Sequence, residues 1–183
     1  MSDARGVTHY DQMPIPPVEA HTTLFEAGVI AIGVEYRLLD DAIAGASAME
    51  AASGSASGGL HFNDSGVSLH VFGGLGDRRL ELIRFDCFDE DPHYHYVNWQ
   101  ARSNQMVHID PDAQGDPATW AIERIRSHLP NMLTRAGAGD IASSVDRSAI
   151  EAILPAVEKE VQRARHHHDP DAIRRAALGA NKS

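Results

Sequence analysis

At 183 residues the chain is long enough for one domain with a buried core, and 43% hydrophobic with 23% charged residues is the composition of a folded protein. Lys and Arg total 16 against 26 Asp and Glu, and the formal charge of −10 argues against nucleic acid and anionic membranes as partners. A lone cysteine, Cys87, excludes an internal disulfide. Met1–Met13 has no apolar signal core and no stretch reaches the roughly 20 apolar residues that span a bilayer, so the expected setting is the cytoplasm.

Residues 1–21 read as an extended arm, because Met13-Pro14-Ile15-Pro16-Pro17 cannot enter a helix or a central strand. It is expected to hang loose, or to lie against the body or a neighbouring subunit. Residues 22–183 are expected to form one α+β domain. Thr22–Leu38 predicts one long strand, with Ile30, Ile32, Val34, Tyr36 and Leu38 on one face. Residues 41–59 are rich in Ala, Gly and Ser. After a short helix starting at Asp41 they predict a flexible surface loop, with a lid as the functional alternative. Leu60–Phe62 and Val67–Phe72 predict two short strands around a turn at Asn63–Gly66. Arg79–Phe88 and His93–Trp99 predict two more, and Met106–Ile109 a possible last one.

The pattern then turns helical. Asp116-Pro117 is a cap-and-proline start for a helix with Ile122, Ile125, Leu129 and Leu133 on one face, ended by Gly137 and kinked at Pro130. A second helix spans about Asp146–Arg165 with a kink at Pro155, and a third starts at Asp169-Pro170. Strands first and helices last predict an antiparallel sheet of about five strands, covered by the C-terminal helices.

Arg84–Phe88 and His93–Tyr96 flank Asp89-Glu90-Asp91-Pro92, which reads as a four-residue hairpin loop. The simplest register sets Asp86 opposite His95, Phe88 opposite His93, Arg84 opposite Val97 and Leu82 opposite Trp99. Paired residues share a face, so Arg84, Asp86, His93 and His95 project together, while Ile83, Phe85, Cys87, Tyr94 and Tyr96 form the core side. A slip of one residue would scatter the set.

Two histidines two apart on a strand and a nearby carboxylate can hold a divalent transition metal, which makes Asp86, His93 and His95 candidate metal ligands. The same three residues are candidate catalytic groups without a metal, Asp86 orienting His95 as a general base. Arg84 is a candidate anchor for a ligand carboxylate or phosphate. A plain cross-strand salt bridge between Asp86 and His95 or Arg84 is the structural alternative.

The His-x-His strand is similar to that of cupins. Gln100 stands where their glutamate ligand is expected, Cys87 where a glycine is, and the chain after Ile109 turns helical. The run Arg84-Phe85-Asp86-x-Phe88 with Pro92-His93-Tyr94-His95-Tyr96 resembles a signature of small uncharacterised bacterial proteins, and that resemblance implies no function. His61 and His70 are possible further ligands from a neighbouring strand, and His108 with Asp110 is a weaker pair. His166-His167-His168 reads as favourable charge at a helix C-terminus. Gly74-Leu75-Gly76 does not continue into a dinucleotide-binding fingerprint. The sequence thus predicts a metal or ligand site on the 84–99 hairpin, serving a metal-dependent or acid–base enzyme. The alternative is a non-catalytic accessory or structural subunit. The expected partner is a small molecule or a protein, in a homo-oligomer or a larger complex.

Overall fold

The computed structural model describes residues 6–44, 63–75 and 78–180. Seven strands form one antiparallel sheet in the order β1-β7-β6-β5-β4-β3-β2. They are β1 (Val7–Tyr10), β2 (Thr23–Ala27), β3 (Ile30–Asp40), β4 (Asn63–Leu75), β5 (Arg78–Phe88), β6 (His93–Asn98) and β7 (Ser103–His108). The helices α1 (Pro111–Gln114), α2 (Pro117–Arg135), α3 (Gly139–Ser143), α4 (Arg147–His166) and α5 (Pro170–Ala180) follow, which makes the fold α+β. No helix among the described residues is long and apolar enough to cross a membrane.

The sheet has seven strands where about five were expected, and each extra strand has a local cause. The predicted strand over 22–38 is two, because Gly28, at φ +64°, opens a two-residue turn that folds β2 back along β3. The arm supplies β1, which pairs with β7 from Val7↔Val107 to Tyr10↔Asn104. Asn63–Gly66 is not a turn. It continues β4 and pairs with Arg37–Asp40 of β3. Asp40 caps a helical turn at Asp41–Ala44, its carboxylate accepting from Ala42 N and Ile43 N. The rest of the 41–59 loop, and the expected strand at Leu60–Phe62, lie outside the described residues.

One face of the sheet is the core. Ile30, Ile32 and Val34 of β3, Val67, Leu69 and Val71 of β4, and Ile83 and Phe85 of β5 are buried there with Ile122, Ile125, Leu129 and Leu133 of α2. Leu154, Val157 and Val161 of α4 complete it. Asp116 and Asp146 accept from the first-turn amides of α2 and α4, as their positions before each apolar stripe predict. Gly137, at φ +82°, lets Ala138 N reach Leu133 O and ends α2. Pro130 and Pro155 do not end their helices, each of which runs on as one element.

The opposite face is crossed by residues 11–22. β1 and β2 occupy opposite edges, six strand spacings of about 4.8 Å apart, or roughly 29 Å. An extended proline-rich chain advances about 3.1 Å per residue, enough for this segment to bridge the sheet. Its bonds fix the route: Ile15 O accepts from Arg37 and Arg84, and Val18 N donates to Glu35. The arm is therefore a strap over the polar side of β3, β4 and β5.

Candidate metal centre under the strap

Charged residues on the strap side have little exposure because the strap and the sheet enclose them. Arg84 and Asp86 come from β5, and His93 and His95 from β6. The register is Asp86↔His93 and Arg84↔His95, two residues away from the simplest pairing. A slip of two preserves side-chain parity, so all four still share a face. Asp86, His93 and His95 are 3%, 8% and 6% exposed, and one ligand atom from each lies within 4.8 Å of the others.

The hydrogen bonds around the three residues fix their orientation. His93 Nδ1 donates to Asp91 O at 2.7 Å, and His95 Nδ1 to the Asn104 amide oxygen at 2.8 Å. Each bond directs Nε2 inward, where both Nε2 atoms lie 3.5 Å from Asp86 Oδ2. Ser68 Oγ donates to Asp86 Oδ1 at 2.5 Å, and Arg84 Nε lies 2.9 Å from Oδ2. Such outer bonds set the tautomer and ring orientation of metal-binding histidines. The Arg84 guanidinium and the two imidazoles hold the Asp86 carboxyl well below the usual carboxylate range despite burial. Burial pushes His95 down, whereas the Asp86 carboxylate outweighs burial at His93 and raises it.

Beside this cluster runs a second set of residues, of which sequence reasoning flagged only His70. Cross-strand pairing sets Glu35 opposite Ser68, Ser68 opposite Asp86, and His70 opposite Arg84. Glu81 joins them through a bulge. Val71 pairs with Ile83 but Phe72 with Glu81, leaving Leu82 as the extra residue. The bulge sends Leu82 into the helix-side core with Ile83 and turns Glu81 toward His70. Leu82 is thus not on the polar face, where the simple alternation placed it. Trp99 is partly exposed, and its indole donates to Glu81 O. Glu81 and Glu35 were legible only as charges within alternating strands, and the bulge that aims Glu81 has no distinct sequence signal.

The fully buried His70 ring sits between two carboxylates, with Nδ1 2.5 Å from Glu81 and Nε2 3.2 Å from Glu35. The second contact is an ion pair off the hydrogen-bond line, since neither Nε2 nor Glu35 Oε2 has a hydrogen-bond partner. The hydrogen bond to Glu81 and the charge of both carboxylates offset the burial that would deprotonate the ring, so His70 is raised above its ordinary value and its protonated form is favoured. The same contacts, with Arg37 and Arg84, hold Glu35 and Glu81 low. In spatial order Arg37, Glu35, His70, Glu81, Arg84 and Asp86 alternate in sign.

The other candidates separate from this site. His61 lies outside the described residues. His108 faces His93 across β6–β7 but is exposed and bonds Asp91. Asp110 caps α1. His166 and His167 end α4, and His168 stacks on Tyr36 at 3.6 Å. That stack borders a cavity of about 220 Å³, lined also by Thr23, Glu160 and Arg163 on the helix side of β3. No residue of the Asp86 cluster lines it, and of its two acids Glu160 is already paired with Arg163 while Asp169 accepts from Ala172 N. Volume alone therefore does not outrank the converging ligand atoms. Burial pushes the Cys87 thiol up, leaving it an inert core residue.

The cluster has the donors and spacing to hold a metal ion: two imidazole nitrogens and one carboxylate oxygen, with their other polar atoms bonded elsewhere. No curated protein and no solved structure matches the chain. A family model matches residues 24–161, from β2 into α4, and by that match the chain belongs to the family described as Domain of unknown function (DUF7700).

Proposed function

We propose that this is a metal-binding protein in which Asp86, His93 and His95 hold one divalent first-row transition ion beneath the strap. The supporting observation is the facing of both Nε2 atoms toward Asp86 Oδ2 at 3.5 Å, while each Nδ1 is spent as a donor. His95, lowered and neutral in that tautomer, offers a lone pair at Nε2, and a lone pair facing a carboxylate oxygen repels unless a cation lies between them; at His93, which Asp86 raises, a proton can fill the same role. Bonds of about 2.0–2.1 Å in tetrahedral geometry put ligand atoms roughly 3.3–3.4 Å apart. The two imidazole–carboxylate separations of 3.5 Å are close to that edge.

Three protein ligands leave coordination positions open, the arrangement of catalytic rather than closed structural sites. When bound, such an ion supplies Lewis acidity to a water or ligand in an open position. The residues of this chain contribute the rest: Ser68 and Arg84 hold the carboxylate, Asn104 and Asp91 hold the rings, and the strap limits water. These features support a metal-dependent enzyme over a purely structural ion site.

One observation favours a second reading. Arg84 Nε already lies 2.9 Å from the oxygen that would bind the ion, so a metal-free network pinning strap to sheet is self-consistent. Metal analysis of untagged protein, beside a His93→Ala/His95→Ala variant, separates the two. Near-stoichiometric metal in the parent and its loss in the variant is expected. The variant keeps His166–His168, so adventitious binding there survives in both proteins. Equal metal in both, or none in either after reconstitution with zinc, iron and manganese, contradicts the proposal.

A further inference from the structure

Arg37 and Arg84, from β3 and β5, converge on a single atom, the carbonyl oxygen of Ile15 in the strap, at 3.2 and 2.6 Å. A neutral carbonyl is a weak partner for two guanidinium groups, since an anionic oxygen forms bonds roughly twice as strong. Donor capacity is also left over. Arg37 Nη1 is buried without a hydrogen-bond partner, 3.8 Å from Glu35 Oε2, whereas Arg84 Nε is already paired with Asp86 Oδ2 at 2.9 Å. An orphaned donor of this kind calls for an unseen water or ion. Beside Arg37, though not reaching Arg84, lies a cavity of about 20 Å³ between Ile15, Pro16 and Val18 of the strap and Glu35 and Ile173, room for about one water and no more.

Charge counting sharpens the point. Glu35, Glu81 and Asp86 are balanced by Arg37, Arg84 and His70, whose two ring nitrogens both face carboxylates. The metal-free network is therefore neutral. A divalent ion bound beside Arg84 leaves two buried positive charges uncompensated, which a low-dielectric site tolerates poorly. A phosphate brings the balance close to zero and a carboxylate halves the excess, and the convergent guanidinium groups mark where the oxygen of either belongs.

We propose that Arg37 and Arg84 form a subsite for a small oxyanion, a carboxylate or a phosphate, beside the Asp86–His93–His95 centre, and that the Ile15 carbonyl occupies this subsite while the strap is closed. The affinity gain on metal loading rests on the metal reading above. The subsite itself stands on the two arginines. The anion displaces Ile15 O, and the strap lifts as it enters.

The test uses the full chain, with and without zinc, titrated with acetate and separately with inorganic phosphate. Calorimetry reads binding, and amide hydrogen exchange reads the strap. Saturable binding that speeds exchange at residues 13–18 is expected, about tenfold tighter after zinc loading and about tenfold weaker in Arg37→Gln. A preference for acetate or for phosphate identifies which oxyanion the subsite fits. Binding that leaves strap exchange unchanged, or that Arg37→Gln does not weaken, overturns the subsite, as does no binding of either anion. Failure of the metal reading looks different. Zinc is then not taken up, while the metal-free chain still binds an anion through Arg37.

Discussion

The two faces of the sheet are both buried, yet they are built on opposite principles. On the helix side, Phe85, Leu69, Leu129 and Leu154 are sealed by non-directional apolar contact. On the strap side, His70, Glu81, Arg84 and Asp86 are as deeply buried, but every one is charged and has a partner of opposite sign. The helix face tolerates any shape-preserving exchange. The strap face tolerates no unmatched charge, because an uncompensated buried ion costs several kcal/mol. Each strand carries one element of each face at alternate positions, so a single hairpin serves both stability and the site.

Two substitutions of comparable cost contrast the faces most strongly. Phe85→Ala should cost about 3–5 kcal/mol by cavity formation. Glu81→Ala should cost about 3–5 kcal/mol by removing the hydrogen-bonded partner of buried His70 and leaving the ring only its off-line Glu35 contact. Their pH profiles should differ. His70 is raised when folded, so its stabilisation is complete below the ordinary histidine value and is lost as pH rises through its raised folded value. Glu35, Glu81 and Asp86 are lowered, so theirs is complete above the ordinary carboxylate range and lost as pH falls through their folded values. His95, lowered and neutral, adds a loss that begins as pH falls below the ordinary histidine value. Urea unfolding from about pH 4 to about pH 9 should show the penalty of Glu81→Ala shrinking at alkaline pH, and that of Phe85→Ala staying flat. Parallel profiles would break the comparison.

A smaller effect tests how tightly the strap side is packed. A Cβ on Gly66 would lie 2.5 Å from Cys87 O and 2.8 Å from Phe88 Cα, both backbone atoms that cannot turn aside. Gly66→Ala should cost about 1–3 kcal/mol. On Gly33 the Cβ would meet side chains, Phe72 Cε2 and Thr22 Cγ2, each at 2.8 Å. Gly33→Ala should cost less in thermal stability while loosening the strap at Thr22, which faster amide exchange over residues 13–22 would register. The smallest effect belongs to the helix side, where Asp146→Ala removes the cap of α4 for about 1 kcal/mol and should leave metal uptake unchanged.

Much of this was legible because periodicity and caps are local. The apolar stripes of α2 and α4, Asp116 and Asp146 before them, and Gly137 after α2 are written in the chain, as is the parity that groups Arg84, Asp86, His93 and His95. Parity survived even though the predicted register was two residues off. The turn at Gly28 was hidden because β2 and β3 are both apolar and their connection is only two residues long. Asn63–Gly66 has turn composition, yet long-range pairing with β3 holds it extended. The bulge at Leu82 and the path of the strap depend on contacts distant in sequence. Without them, Glu81, Glu35 and Arg37 read as ordinary strand charges.

The most direct measurement is anomalous diffraction from crystals of the untagged chain grown with zinc. The account predicts one strong peak about 2.0–2.2 Å from His93 Nε2, His95 Nε2 and Asp86 Oδ2. No peak there, with Arg84 still paired to Asp86 and zinc found only at the surface histidines, would contradict it.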